Sequence, residues 1–158
     1  MKTCQLFALL GSCLGQTKLN QIDTQLAKCQ GINLLELTIE DTLAHFRSGN
    51  LLPSQLTACY LKRIQKMNPF LNAIIETNPD AMAIALTLDK ALAKRDLPLY
   101  GIPILVKDNI GTLDQMETTA GCVALLGARP KKDADVVKRL RRLGAVVLGK
   151  TNMSELSG

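Results

Sequence analysis

Apolar positions along this chain recur in two different periods, and the alternation between them lays out a succession of helices and strands. Ile39, Leu43 and Phe46 fall at helical intervals, with Thr38 placed to cap the first turn and Gly49 to end the last. A second helix is expected to start at Ser54, to bury Leu56, Tyr60, Ile64 and Met67, and to stop at Asn68-Pro69, because the residue before a proline disfavours helix. Phe70 to Ile75 then reads as a strand. Asn78-Pro79 opens a third helix with proline at its first position and a stripe of Ala81, Ile84, Ala85, Leu88 and Leu92.

Beyond the polar turn Lys94-Arg95-Asp96, Ile102 to Val106 forms a short apolar strand bounded by Gly101-Ile102-Pro103. A further helix is expected from Asp133 to Gly144, followed by a buried strand from Ala145 to Leu148. Strand, loop, helix, strand favours parallel neighbours, so the class is α/β, with helices packed on a mostly parallel or mixed sheet. The loops Lys107-Asp108-Asn109 and Lys150-Thr151-Asn152 would then leave the same sheet edge, where α/β proteins place their sites.

Lys107 is the candidate catalytic residue. A lysine at the end of a buried strand loses hydration, which favours the neutral amine and suits it to exchange protons with a nucleophile. The plainer alternative is a surface lysine paired with Asp108. Lys150 follows a second buried strand and rivals Lys107 on burial grounds. Asp108 and Asn109 could position the amine or simply form the turn.

Three separated segments carry more information. Gly101 to Ile110, then Thr118-Thr119-Ala120-Gly121 with Ala124-Leu125-Leu126-Gly127, then Gly144 to Glu155 closely resemble, in order and spacing, the beginning of the amidase signature family. The resemblance runs from about Leu34 to the end, and it implies a partial amidase domain over residues 34–158, incomplete at its C-terminus. It also implies hydrolysis or transfer of carboxamides by a Ser, cis-Ser, Lys triad whose lysine matches Lys107. The two serines of that family lie in a Gly/Ser-rich segment further along than Gly158, and Ser154 and Ser157 do not match them. The resemblance implies a small amide substrate and no cofactor. The amidase-like component of an aminoacyl-tRNA amidotransferase shares the motifs, and a non-catalytic remnant or interaction module is the third reading. Asn152 and Glu155 are spaced like a capping box, so a helix is expected to begin there.

Composition narrows the field further. The chain has 158 residues, 47% of them hydrophobic and 3% aromatic, which fits a folded domain whose core is built from Leu, Ile, Val and Ala. Its net charge of +5 includes Lys131, Lys132, Lys138, Arg139, Arg141 and Arg142. Val136, Val137, Leu140 and Leu143 would be buried in that helix, leaving Lys138, Arg141 and Arg142 on a solvated outer face, and no aromatic residues interleave to stack bases. Nucleic acid is therefore not an expected partner.

Lys2, the apolar stretch Leu6 to Leu10 with Leu14, and Cys13-Leu14-Gly15 suggest an export signal over residues 1–15; Leu10-Gly11-Ser12-Cys13 also resembles a lipoprotein processing site. The expected location is exported or secreted, with the cytoplasm as the alternative. The five cysteines, at 4, 13, 29, 59 and 122, include no C-x-x-C pair, and His45 is the only histidine, so neither a zinc site nor a Ser-His-Asp site is indicated. Loss of the leader would leave an odd number, which argues against a fully paired framework. Cys59 is expected in the core and Cys122 in small-residue packing, the alternative for Cys122 being a nucleophilic thiol.

Overall fold

In a computed structural model the described residues are Thr24 and 26–153, so the candidate leader and the helix start expected through Glu155 lie outside them. The described chain begins with a hairpin, β1 (Lys28–Cys29) against β2 (Ile32–Asn33). Gln30 and Gly31 both take positive φ, the geometry of a two-residue turn that follows the twist of its strands.

Helix α1 (Ile39–Ser48) is built as its sequence predicts: the Thr38 hydroxyl accepts from Asp41 N–H at 3.1 Å, and Gly49 closes the helix in the left-handed region. Leu43 and Phe46 are buried, while Ile39 stays exposed. Helix α2 (Pro53–Leu71) departs from expectation at both ends. Proline occupies its first position, Gln55 Oε1 accepts from Leu52 N–H, and Ser54 N–H donates to Asp89 in the next helix rather than starting a cap. The helix also continues through Pro69. Its end is held instead by the Asn68 side chain, which donates to Ile74 O and accepts from Ile74 N–H, both at 2.8 Å, as a neighbouring strand would. Phe70 and Leu71 therefore belong to the helix, and the strand predicted from Phe70 begins only at Ile74.

Helix α3 (Ala81–Lys90) buries Ala81, Ala85 and Leu88, and Leu92 lies beyond it in a 3₁₀ turn. Asn78, ahead of the helix, is buried and ties it to the sheet by donating to Val147 O at 2.8 Å.

The sheet has three strands in the order β3 (Ile74–Thr77), β5 (Val146–Thr151), β4 (Pro103–Lys107). β4 and β5 are parallel and β3 is antiparallel to β5, so the sheet is mixed. α1, α2 and α3 contribute to the larger core with Val146 and Leu148, and Val106, Met116, Val137 and Val147 form a smaller one. Helix α4 (Asp135–Arg142) starts later than predicted because the Asp133 carboxylate is used by Leu113 N–H and by Arg141.

That change alters the face α4 presents. Val137 is fully buried, whereas Val136 and Leu143 are exposed. Arg141, expected on a solvated face, pairs with Asp114 at 2.7 Å and Asp133 at 3.3 Å. Asp114 and Asp133 draw the guanidinium inward, because two carboxylate partners offset its partial burial.

The cysteines also differ from expectation. Cys29 and Cys59 form a disulfide, with Cα atoms 5.9 Å apart, that fastens the N-terminal hairpin to α2. Their sequence separation of 30 carries no local signature, which is why the pattern alone did not reveal the pair. Cys122 remains as an exposed free thiol, not a packed one. Mapping under non-reducing conditions is expected to yield a linked Cys29–Cys59 peptide, and reduction to lower stability by about 3 kcal/mol; alkylation of Cys29 and Cys59 themselves in the untreated protein would contradict this.

Candidate active site

The parallel pairing of β4 with β5 brings the ends of both strands to one edge, as expected. Val106 is in register with Lys150, and Lys107 with Thr151. Alternation along β4 places Pro103, Leu105 and Lys107 on one face and Ile104 and Val106 on the other. β5 does not alternate regularly: Ile104 pairs with Val147 but Leu105 with Gly149, so an extra residue is accommodated at Leu148–Gly149. This irregularity keeps Leu148 in the larger core and turns Lys150 toward the Val106 face. The two lysines consequently leave neighbouring strands on opposite faces.

Glycine is required at the irregularity. A Cβ on Gly149 would lie 2.5 Å from Glu76 O and 3.2 Å from Thr77 Cα, both backbone atoms of the adjacent strand.

Lys107 is the last residue of β4 and is half-buried. Its carbonyl accepts from Ile110 N–H at 2.9 Å, which closes the turn through Asp108 and Asn109, and Asp108 N–H donates to Thr151 O at 3.2 Å. The Asp108 side chain points inward. It is 1% exposed and accepts from the Thr119 hydroxyl at 2.6 Å and from Gly121 N–H at 3.2 Å. Asp108 thus binds the Thr118 to Gly121 segment to the turn after Lys107, which supports its reading as a loop-ordering residue and removes the surface Lys107–Asp108 pair. Two of the three sequence segments singled out above meet at this carboxylate.

Lys150 is the lysine on which burial acts most strongly. It is fully buried, and its Nζ donates to Ile110 O at 2.5 Å and to the Thr118 hydroxyl at 2.9 Å. Desolvation pushes its pKa down from the ordinary lysine value, opposed by the carboxylates of Asp108, Asp114, Glu76 and Asp133. The desolvation argument made for Lys107 from sequence therefore applies to Lys150. Sequence could not separate them, because both follow apolar runs and only the bulge in β5 determines which is enclosed.

The lowered pKa has a defined sign in stability. Between the folded value and the ordinary lysine value the unfolded chain binds more protons, so unfolding free energy rises with pH across that window. Urea titrations at stepped alkaline pH are expected to show this rise in the wild type and to show it diminished in Lys150→Met; identical slopes would contradict the assignment.

On the face shared by Pro103, Leu105 and Lys107 lies a groove of about 400 Å³, lined by Tyr60, Ile64, Met67 and Leu71 of α2 and by Ile74, Pro103, Leu105 and Leu148. His45 lies elsewhere, on α1 beside a shallow surface formed with Asn33 and Glu36. Among the described residues no group of three or more His, Cys, Asp or Glu could hold a metal ion, and no helix is long and apolar enough to cross a membrane.

The arrangement is an amine at the end of a strand, on a turn fastened from two sides. The amidase family model matches residues 55–157, which contain Lys107, Asp108, Thr118, Thr119 and Lys150. The chain belongs to the amidase family. An Arabidopsis thaliana protein named as a probable amidase is 45% identical over 139 residues, covering 84% of this chain and 27% of its own length. The crystal structure of peptide amidase from Stenotrophomonas maltophilia superposes with a TM-score of 0.72 at 46% identity, covering 77% of this chain and 26% of that one. A glutamyl-tRNA(Gln) amidotransferase component of Lysinibacillus sphaericus is 37% identical, covering 80% of this chain and 26% of its own length. The chain thus spans about a quarter of the length of these relatives. The α/β architecture, with helices on a mixed sheet, is the corresponding part of the amidase fold.

Sequence reasoning missed the roles of Thr118 and Thr119, which lay inside a quoted motif but were not assigned, and the Arg141 pairing with Asp114 and Asp133. Thr-Thr beside a turn that carries Asp is the signal that could have indicated the first. Nothing local to α4 indicated the second, since its partners come from other loops.

Proposed function

We propose that this chain contributes the lysine of a Ser, cis-Ser, Lys amidase, with Lys107 as the general base. The observation that carries the reading is the position of Lys107 at the C-terminal end of β4, on a turn ordered by Asp108, within the segment that matches the family. In this mechanism the Lys107 amine receives, through the cis-Ser hydroxyl, the proton of the nucleophilic serine. The serine oxygen bonds to the amide carbon, the C–N bond breaks as the departing nitrogen takes a proton, and water then hydrolyses the acyl-enzyme. Backbone N–H groups near the serines would hold the oxyanion. Neither serine has a counterpart in these 158 residues, so the chain by itself is expected to be inactive.

The substrate class is a small linear carboxamide. Protein made from the complete coding sequence is expected to release ammonia or an amine from a panel of simple aliphatic and aryl amides; absence of release from the whole panel would overturn the reading. The resemblance to the amidotransferase component favours a second one, in which glutamine hydrolysis serves a charged tRNA. Higher identity to the amidase-named relatives places it second, and glutamine turnover that depends on glutamyl-tRNA would reverse the order. Export is proposed as well, supported by the leader-like residues 1–15 and by the Cys29–Cys59 disulfide, because such bonds persist in oxidising compartments; protein recovered from the cytoplasm with residues 1–15 retained and both thiols reduced would count against it.

A further inference from the structure

We propose that Lys150 is a positioning residue, which fastens the 108–112 and 117–121 loops to the sheet and thereby holds the turn that presents Lys107. The inference rests on the assignment of Lys107 as the base, and it adds a role for a residue that the mechanism does not use. Three features carry it. Lys150 is fully buried, so its nitrogen cannot be solvated and must be satisfied by protein. Its two partners come from two different loops, Ile110 O from one and Thr118 Oγ1 from the other. The path to Lys107 is short: the peptide unit on one side of Ile110 donates its N–H to Lys107 O, and its carbonyl on the other side takes Nζ of Lys150.

The second loop is tied to the same turn independently. Thr119, adjacent to Thr118, donates to the Asp108 carboxylate, and Ala120 N–H reaches Asp108 O at 3.4 Å. Lys150 and Asp108 therefore pin the two loops from within, while the Lys107 side chain leaves the sheet on the other face. The carboxylates of Asp108, Asp114, Glu76 and Asp133, on the loops and β3, favour the charged amine against the desolvation that lowers its pKa. A neutral apolar replacement would leave Ile110 O and the Thr118 hydroxyl without their donor in a part-buried site, and an acceptor deprived of its partner there favours local rearrangement.

The test uses protein made from the complete coding sequence, with Lys150→Met and Thr118→Val, a p-nitroanilide as probe, turnover normalised to titrated active sites, and amide hydrogen exchange read by peptide. Both variants are expected to raise exchange in peptides covering 108–121 while α2 and α3 stay protected. Because small displacements of a catalytic group cost rate steeply, kcat per titrated site should fall at least about tenfold in Lys150→Met, with KM changed by less than about twofold. A residue needed only for folding would reduce the number of active sites and leave kcat per site unchanged, and that result overturns the proposal. Should Lys150→Met fail to fold, Thr118→Val decides: unchanged exchange over 117–121 and unchanged kcat overturn it. If the wild type hydrolyses no amide, the amidase reading fails, and the exchange data still determine whether Lys150 orders these loops.

Discussion

Lys107→Ala, introduced into protein made from the complete coding sequence, is expected to lower amide turnover by about a thousandfold or more while leaving the thermal unfolding midpoint nearly unchanged. The two halves of that expectation come from different parts of the structure. The rate loss follows from removal of the base, for which none of the described residues nearby substitutes: Lys150 is committed on the opposite face to Ile110 and Thr118, and His45 lies on α1. The unchanged stability follows from the half-buried position of Lys107 at the end of β4, where the backbone, not the side chain, makes the turn-closing bond to Ile110. Lys107→Arg should be nearly as inactive, because a guanidinium does not release its proton in the working range. Turnover within tenfold of wild type in Lys107→Ala would remove this residue from the mechanism.

Gly149→Ala is expected to destabilise the 158-residue chain by about 2 kcal/mol or more, measured by urea unfolding. The new methyl group would meet Glu76 O at 2.5 Å, and neither that carbonyl nor Thr77 Cα can move without disturbing the β3–β5 ladder. A second effect should accompany the first. Because the irregularity at Leu148–Gly149 sets the direction of Lys150, amide exchange around Ile110 should rise in the same variant. Stability equal to wild type would show that β3 leaves room for a methyl group at this point.

Much of this architecture was legible in the sequence, and the exceptions have identifiable causes. Period and capping located α1 to within its caps, since Thr38 and Gly49 act locally. The parallel β4–β5 pair followed from strand, loop, helix, strand order. The end of α2 was not legible, because Asn68 supplies to Ile74 the bonds that the proline rule assumes are lost, an interaction across the turn and not along the helix. The antiparallel β3 was hidden by the same event, since the apolar run from Phe70 was divided between helix and strand. At the site, Lys107 and Asp108 stood out from their neighbours, but which lysine is enclosed depends on a single extra residue in β5, and periodicity has no means of registering it. The Cys29–Cys59 bond was equally silent, because its partners meet only after the hairpin packs on α2.

The order of strands in space has a bearing on how the chain acquires its shape. β5 is the middle strand of the sheet yet the last of the three in sequence, so among the described residues β3 and β4 have no pairing partner until residues 146–151 have emerged. During synthesis, Pro103 to Lys107 must wait as an unmatched apolar segment. Closure of loops this long is slow and leaves such segments open to other chains in the meantime. Nascent chains halted before Val146 should therefore be the aggregation-prone form of this protein.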